Sequence, residues 1–434
     1  MKNNLIKVFK FGGASVKDTA AVRKVAAILQ KFKNQPLVIV VSAMGKTTNA
    51  LEKVVEAHTL KNGKGFDLLK EIKENHYKII GELFEDSEDV LTSVNDTFVE
   101  IEWMLEEDPH EDYDYIYDQI VSVGELVSTK IISAYLNHEG LPTKWLDARD
   151  IILTDNIFRE GWVLWEETLK NAQEIAKPLL EKGGFVLTQG FIGSTSENFT
   201  TTLGREGSDY TAAIFSYSLD AESMTIWKDV PGVLTGDPRL FEDVTKLDRL
   251  SYKEAIEMTY YGAKVIHPKT IKPLQNKGIP LYVKSFVEPE GSGTFISFEV
   301  KDNYPPIVAV KQNQVLLQIS TRDFSFVTAH HIGYLFTKIA ELRIHVNMMQ
   351  NTAISFSICV TNAESKIQQF VKTIEKEFNV IVDAGLELIT VRHYQKEILE
   401  NMKKGKIILF EERIRHSVQM VVKDVPVMRR KTLE

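Results

Sequence analysis

The chain has 434 residues, which at about 150 residues per domain makes two or three domains. Its 44% hydrophobic and 26% charged residues exclude collagen-like, coiled-coil and wholly disordered chains. Fifty-two Lys and Arg against sixty Asp and Glu leave a formal charge of −8, which argues against general nucleic-acid or membrane-surface binding but leaves phosphorylated small molecules open.

Leu5–Phe11 reads as a strand, Gly12-Gly13 as a turn, Thr19–Phe32 as a helix and Pro36–Val41 as a continuous apolar strand, the mark of a parallel sheet covered on both faces. From Phe84 to Asp118 there are fourteen acidic residues and no Lys or Arg, while Val90, Val94, Phe98, Ile101 and Leu105 recur at three- and four-residue steps. That pattern is one amphipathic helix with a solvated acidic face, and no chemistry is assigned to it. The βα alternation continues with helices over Gly124–Asn137, Trp165–Leu180, Ser208–Ser218 and Ser251–Tyr260. Strands are expected at Thr143–Leu146, Gly184–Thr188, Met224–Trp227 and Leu281–Ser285.

Pro289-Glu290-Gly291-Ser292-Gly293 and Pro305-Pro306 bracket a domain boundary near residue 300. Beyond it the chain reads βαββαβ: Val315–Ser320, a helix around Tyr334–Glu341, Val346–Met349, Ile354–Val360, a helix Ser365–Phe378, then Val380–Asp383. Glu387–His393, Gln395–Met402, Lys406–Phe410 and Val418–Val422 suggest a shorter second copy of this ferredoxin-like unit. Cys359 is the single cysteine, so neither an intrachain disulfide nor a cysteine zinc cluster can form. The N-terminus lacks a secretory apolar core and no apolar run is long enough to span a membrane, so a cytoplasmic chain is expected.

Gly12-Gly13 between strand and helix, with Lys10 two residues before, suits either an anion-binding turn or a plain tight βα turn. Gly45-Lys46-Thr47 is not a P-loop, because Val40 stands where that motif requires glycine. Ser42, Thr47, Thr48 and Asn49 still follow a buried strand, where ligands bind in open α/β sheets or where a helix is simply capped. The densest stretch runs from Thr188 to Asp209, with Gly190, Gly193, Thr200-Thr201-Thr202 and Gly204-Arg205-Glu206-Gly207-Ser208-Asp209. Such a set can clamp a carboxylate, donate amides to phosphate and orient a lysine or magnesium. Trp227 to Arg239 forms a strand and a turn-rich loop, and Gly262 to Pro268 brings Lys264 and His267, the latter without the companions of a metal site.

Taken together, Lys10-Phe11-Gly12-Gly13-Ala14-Ser15-Val16, Gly124-Glu125-Leu126, Thr201 through Tyr210, Asp229-Val230-Pro231-Gly232 and Gly262-Ala263-Lys264-Val265 resemble the signature set of aspartokinases, members of the amino-acid kinase family. The resemblance covers residues 5 to about 285 in order, and the tail resembles tandem ACT regulatory domains. It implies a three-layer αβα sandwich with a mainly parallel sheet at residues 1–298. A regulatory region at 299–434 would follow, with one ACT unit over about 305–386 and a shortened one over about 387–434.

The activity implied is ATP-dependent phosphorylation of L-aspartate to 4-phospho-L-aspartate, the first step of lysine, methionine and threonine synthesis. By the same resemblance Lys10, Asp209 and Lys264 are catalytic. Lys10, Phe11, Gly12, Gly13, Ser15, Lys228, Asp229, Leu234, Arg239 and Lys264 bind ATP. Ser42, Thr48, Glu125, Arg205, Glu206, Gly207 and Ser208 hold aspartate, and Mg²⁺ arrives mainly on the nucleotide. Met349, Gln350, Asn351 and Thr352 resemble an effector loop for lysine or threonine, and ACT units imply a homodimer or larger assembly.

The chain departs from the family pattern at Ala14 and Lys228, where threonine is common, at Leu234, where tyrosine is, and at Glu206, where Gly or Asn is usual. No homoserine dehydrogenase region follows, so a monofunctional enzyme is expected. Phosphorylation of glutamate or N-acetylglutamate is the alternative chemistry, and an amino-acid-sensing module with a relic kinase domain is the alternative class.

Overall fold

The computed structural model describes residues 5–262, 266–298, 300, 303–323 and 325–425. The chain divides into two compact units, Met1–Val233, Lys246–Ile256 and Val265–Lys301 forming the first and Leu234–Thr245, Glu257–Lys264 and Asp302–Glu434 the second. A single cut at residue 298 therefore misses two excursions. Within the second unit the Val308 N–H donates to the Thr235 carbonyl at 2.8 Å, Lys311 Nζ to the Tyr260 carbonyl at 2.8 Å and Arg392 to Glu257 at 2.9 Å. Such ties join segments distant in sequence and leave no mark on composition.

The strands of the first unit are β1 (Lys7–Phe11), β2 (Leu37–Val41), β3 (Thr143–Leu146), β4 (Phe185–Gln189), β5 (Ile192–Ser194), β6 (Thr200–Thr202), β7 (Ser223–Lys228), β8 (Arg249–Ser251), β9 (Leu281–Ser285) and β10 (Thr294–Ser297). An eight-stranded sheet runs β3-β4-β2-β1-β7-β9-β10-β8, with β5 and β6 a separate hairpin. From β3 across to β9 every pair is parallel, and β10 lies antiparallel to β9. The helices are α1 (Thr19–Gln30), α2 (Thr47–Thr59), α3 (Gly65–Leu83), α4 (Glu88–Glu106), α5 (Tyr113–Val121), α6 (Val123–His138), α7 (Trp165–Asn171), α8 (Lys177–Glu181), α9 (Gly207–Ser218), α10 (Tyr252–Tyr260), which runs on into the second unit, and α11 (Pro268–Lys277).

All five residues of β2 are buried, as a strand covered on both faces demands. Phe9, Phe11, Leu37, Ile39, Val41, Phe185 and Leu187 share one core with residues of α1 to α6. Strand alternation sends Lys10 to the opposite face, where α9 packs across β1, β2 and β7.

Two helices expected from periodicity are broken. The acidic stretch is α4 and α5, separated around Pro109, which disfavours a helix at the residue before it. Asp112 then caps α5 by accepting from the Asp114 and Tyr115 amides. The Trp165–Leu180 stretch contains a π turn, Ala172–Ala176, just before Pro178, which has no N–H to offer the helix ladder.

The second unit contains β11 (Ile307–Thr321), α12 (Ala329–Glu341), β12 (Val346–Asn351), β13 (Ser355–Thr361), α13 (Glu364–Ile374), β14 (Phe378–Arg392), α14 (Lys396–Lys403), β15 (Lys406–Ile414) and β16 (Ser417–Asp424). Its six-stranded sheet is ordered β12-β13-β11-β14-β16-β15, every pair antiparallel. A division at residues 386 and 387 falls inside β14. Residues 314–321 of β11 pair with the first half of β14, while Ile307–Lys311 pair with Leu388–Arg392 and supply the strand that the short copy lacked on paper. The register shifts around Gln314, and positive φ at Asn313 and Gly385 accommodates the kink. Leu316, Met348 and Cys359 from one half pack with Leu386, Leu388, Phe410 and Val421 from the other.

Asn347 is 5% exposed and ties three strands. Its amide donates to Gln314 Oε1 at 2.8 Å and Thr361 Oγ1 at 2.9 Å, and its Oδ1 accepts from Lys311 Nζ at 2.8 Å. Asn347→Leu strands these groups, so a loss of about 1–3 kcal/mol is expected, measured as a lower urea midpoint for the second unit. An unchanged midpoint would remove this role.

Candidate active site

Parallel strand order brings the C-terminal ends of β4, β2, β1 and β7 to one edge of the sheet, the edge where open α/β folds bind ligands. Lys10 is the penultimate residue of β1 and Asp209 lies in the first turn of α9. They meet across the α9 face with Nζ to Oδ1 at 2.7 Å. Lys228 closes β7, and its Nζ is 3.8 Å from Asp209 Oδ2. Asp209 is 3% exposed. Burial works to raise its carboxyl, but Lys10 and then Lys228 outweigh that and hold it below the ordinary value.

The turn after β1 interlocks with the loop after β2. The Ser42 N–H donates to the Phe11 carbonyl at 3.1 Å and the Gly45 N–H to the Gly13 carbonyl at 3.0 Å. A Cβ on Gly13 would stand 2.8 Å from the carbonyl oxygens of Ala43 and Gly45, and one on Gly12 3.3 Å from Lys10 Nζ. Glycine is needed at position 13 for this close backbone approach, whereas the contact at Gly12 is with the movable end of a side chain. Ser15 is buried with its Oγ donating to the Trp227 carbonyl at 3.4 Å. The Phe11 side chain lies in the core on the other face, stacked on Trp227 at 5.9 Å, so only its backbone belongs with Lys10 and the glycines.

Glu125, in the first turn of α6, is 3% exposed. Its Oε1 accepts from the Ala43 amide at 3.3 Å, and Oε2 is buried with no hydrogen-bond partner. Burial pushes this carboxyl up to about 8, against the smaller pull of the Ala43 amide and Lys10. Ser42 and Thr48 are half-buried at the C-terminal end of β2 and the first turn of α2. The Ser42 carbonyl accepts from Ser128 Oγ at 2.8 Å.

The approach to α9 is held by a residue that the acidic run concealed. Asp118 is fully buried. Its Oδ2 accepts from the Thr202 and Arg159 amides, each at 2.8 Å, and its Oδ1 from Thr202 Oγ1 at 2.7 Å. Desolvation pushes the carboxyl up to about 6 against these hydrogen bonds. The solvated-face reading therefore fails at its last residue. Gly190 was singled out for chemistry but serves contact, since a Cβ there would lie 2.4 Å from Ser208 Cβ. Gln189, missed in the sequence, is fully buried and bridges the Ala148 amide at 2.6 Å and Thr129 Oγ1 at 2.9 Å.

Arg205 is exposed, while Gly207 and Ser208 are buried. Glu206 precedes α9 in the left-handed region, φ 55° and ψ 27°, a conformation that favours glycine or asparagine. That is the physical reason for the family preference from which this chain departs. Its Oε2 is buried without a hydrogen-bond partner. Burial raises the carboxyl, opposed first by Lys228 and reinforced by Asp209.

Asp229 is exposed beyond β7. Leu234 and Arg239 belong to the 234–245 segment of the second unit, where Arg239 pairs with Asp237 at 2.6 Å. Lys264 lies outside the described residues. His267 caps α11, its Nδ1 accepting from the Lys269 amide at 3.2 Å. Met349, Gln350 and Asn351 form the exposed end of the edge strand β12, and Thr352 Oγ1 closes its turn by accepting from the Ser355 amide at 3.1 Å.

A profile described as the amino acid kinase family matches residues 6–285. Lysine-sensitive aspartokinase 3 of Escherichia coli strain K12 is 32% identical over 409 residues, covering 89% of this chain and 86% of the relative. Aspartokinase 1, chloroplastic, of Arabidopsis thaliana is 32% identical over 417 residues, covering 93% and 69%. Among solved structures, E. coli aspartokinase III in complex with aspartate and ADP (R-state) superposes with a TM-score of 0.84 at 27% identity, over 96% of each chain. The same enzyme with lysine and aspartate (T-state) gives 0.79 at 27% identity, over 97% of this chain and 96% of that one. The chain belongs to the amino acid kinase family and, within it, to the aspartokinases.

Asp118 makes stability depend on pH in a definite direction. Its folded value of about 6 lies above the ordinary 3.8, so the folded state binds the proton more tightly. The stabilisation is full below pH 3.8 and is lost as pH rises through about 6. Asp118→Asn is expected to remove this component, flattening the fall in urea midpoint between pH 4 and 7 relative to the parent. Identical pH slopes for the two proteins would refute it.

Proposed function

We propose that the first unit transfers the γ-phosphoryl group of ATP to the side-chain carboxylate of L-aspartate, giving 4-phospho-L-aspartate and ADP, the entry to lysine, methionine and threonine synthesis. The observation that carries this reading is the buried Asp209 carboxylate holding Lys10 at 2.7 Å at the C-terminal edge of the sheet, beside the Gly12-Gly13 turn. A carboxylate oxygen attacks the γ-phosphorus and the bond to the β–γ bridging oxygen breaks, with its electron pair leaving on ADP. A carboxylate needs no general base, so the site's work is positioning and charge neutralisation.

Lys10 faces the transferred group, a role that the motif resemblance extends to Lys264, while Asp209 orients the Lys10 ammonium group and Gly12, Gly13 and Ser15 cradle phosphate. Lys228 and Asp229 line the nucleotide, and the nucleotide roles of Leu234 and Arg239 rest on the motif resemblance alone. Mg²⁺ would arrive on the nucleotide phosphates. When bound there, it supplies further charge neutralisation.

Arg205 grips one carboxylate of aspartate, with Ser42, Thr48, Glu206, Gly207 and Ser208 around it. The unpartnered Oε2 of Glu125 suits a free ammonium group, and this favours a free amino acid over N-acetylglutamate, whose neutral acetamido N–H can donate one hydrogen bond but brings no positive charge to a buried carboxylate. Lysine is the proposed effector at the Met349–Thr352 turn, since relatives are named lysine-sensitive or were solved with lysine. A homodimer built through the ACT region belongs to the same proposal. Among the described residues no helix is long and apolar enough to cross a membrane; a cytoplasmic setting belongs to the same proposal.

Hydroxamate formation with ATP, Mg²⁺ and hydroxylamine tests the activity. Product is expected with L-aspartate and not with L-glutamate or N-acetyl-L-glutamate, and no product with aspartate would overturn the assignment. Lys10→Ala or Asp209→Ala should lower kcat by about 100-fold or more with the fold intact; near-normal turnover in either would sink the roles.

Glu125 makes a separate claim. With its carboxyl near 8 it is mostly protonated at pH 7, and an ammonium ligand requires it ionised. Aspartate binding should therefore release a proton at pH 7 and tighten as pH rises towards 8. Calorimetry in buffers of different ionisation enthalpy reads that proton, and Glu125→Gln should abolish its release.

A further inference from the structure

Arg205, the residue assigned to grip a carboxylate of aspartate, sits between two residues in the left-handed region. Gly204 lies at φ 75° and Glu206 at φ 55°, and a non-glycine residue holds such a conformation only where its surroundings dictate it. The turn follows β6, a strand of three residues that pairs with β5 along one edge. Its other edge is completed by side chains of α5. Gln119 Nε2 donates to the Thr200 carbonyl at 2.8 Å, and Gln119 Oε1 accepts from the Thr200 amide at 3.2 Å, so one side chain stands in for a neighbouring strand. Asp118 takes the next place, accepting from the amide and the hydroxyl of Thr202 at 2.8 and 2.7 Å.

Asp118 also reaches the far wall of the turn. The Oδ2 that receives the Thr202 amide receives the Arg159 amide as well, at 2.8 Å. The Gly161 N–H donates to the Thr202 carbonyl at 2.9 Å, and a Cβ on Gly204 would stand 3.3 Å from both the Arg159 carbonyl oxygen and Glu160 Cγ. A single buried carboxylate thus fastens the strand leading into the Arg205 turn to the loop on which the turn rests. The helix that bears it is tied to other residues assigned to aspartate. α5 passes into α6 at Ser122, whose carbonyl accepts from the Glu125 amide at 3.1 Å. Tyr117 Oη donates to Glu52 Oε1 at 2.8 Å, and Glu52 lies on α2 one helical turn beyond Thr48.

We propose that Asp118 is a positioning residue for aspartate: it holds the backbone of the Arg205 turn at a fixed place relative to Glu125, so that the carboxylate grip and the ammonium acceptor meet one substrate molecule together. This rests on the aspartate reading above. Arg205 is exposed, and its long side chain gains affinity only if its backbone is set in advance. Asp118 is fully buried and acts through Arg205. Replacing it with alanine leaves the Arg159 and Thr202 amides without their acceptor and lets the turn drift. Asparagine differs, because its single oxygen can accept from both amides as Oδ2 does, while its own amide donates to Thr202 Oγ1.

Steady-state kinetics of the full chain well below its melting temperature, combined with calorimetric titration of aspartate, tests this. Asp118→Ala is expected to raise KM for aspartate about tenfold while KM for ATP changes less than about twofold, and Asp118→Asn to bring KM for aspartate back within about threefold of the parent. Thr202→Val, a milder change that keeps the Thr202 amide, should raise KM for aspartate about threefold. In an Arg205→Ala background, Asp118→Ala should add less than about twofold.

Unchanged KM for aspartate in Asp118→Ala, with only a lower melting temperature or a smaller active fraction, would overturn the proposal by leaving Asp118 a purely structural carboxylate. If Asp118→Ala does not fold, Thr202→Val decides by the same comparison. A full tenfold loss that persists without Arg205 would overturn the action through that residue. A parent that binds no aspartate overturns the aspartate reading and the proposal together. A parent that binds aspartate but makes no aspartyl hydroxamate overturns the assigned reaction alone, and the Asp118 comparison is then read from aspartate affinity.

Discussion

A carboxylate 3% exposed to solvent survives in its ionised form only if cations replace the water it has lost. Asp209 meets that condition with Lys10 and Lys228, and the requirement shapes the unit around it. Lys10 must point to the α9 face, so its neighbours Phe9 and Phe11 point the other way into the core with α1 to α6. α9 must start close to the sheet, so Gly190 has no side chain where Ser208 passes. The pair is therefore a product of strand alternation, helix placement and a glycine, and none of these suffices alone.

The polar groups left open around that pair define what the site can receive. Lys10 and Lys228 stand at the mouth of parallel strands, where an anion gains from both. Glu125 Oε2 and Glu206 Oε2 are acceptors enclosed by protein with no donor. An unsatisfied buried acceptor costs about 1–3 kcal/mol, a cost that a ligand bearing a cation removes. A small molecule carrying both an ammonium group and negative charge fits this division of labour better than a purely anionic one.

Legibility from sequence followed the range of the interactions. β1, β2, β4 and β7 were readable because continuous apolar strands and their neighbouring helices are local patterns, and the glycine-rich segments marked Lys10 and Asp209 because chemistry there needs unusual residues in a row. Asp118 was hidden, since a buried acid in a run of fourteen acidic residues differs from its neighbours only by contacts to Thr202 and Arg159, 84 and 41 residues away. Gln189 escaped for the same reason. Glu206 was visible as a departure, but only its left-handed backbone explains what is unusual about it.

The second unit shows the same limit on a larger scale. Read along the chain, its halves are a complete copy and a truncated one. In space the apparently missing strand is Ile307–Lys311, placed ahead of the first copy and continuous with it through β11. β14 makes the same passage in the opposite direction, and the Cys359 cluster joins the back faces of both halves. Neither half can then shift its strands without bending two fifteen-residue strands shared with the other. An amino acid bound at the edge strand β12 would act on a sheet continuous, through β13, β11 and β14, with β16 and β15.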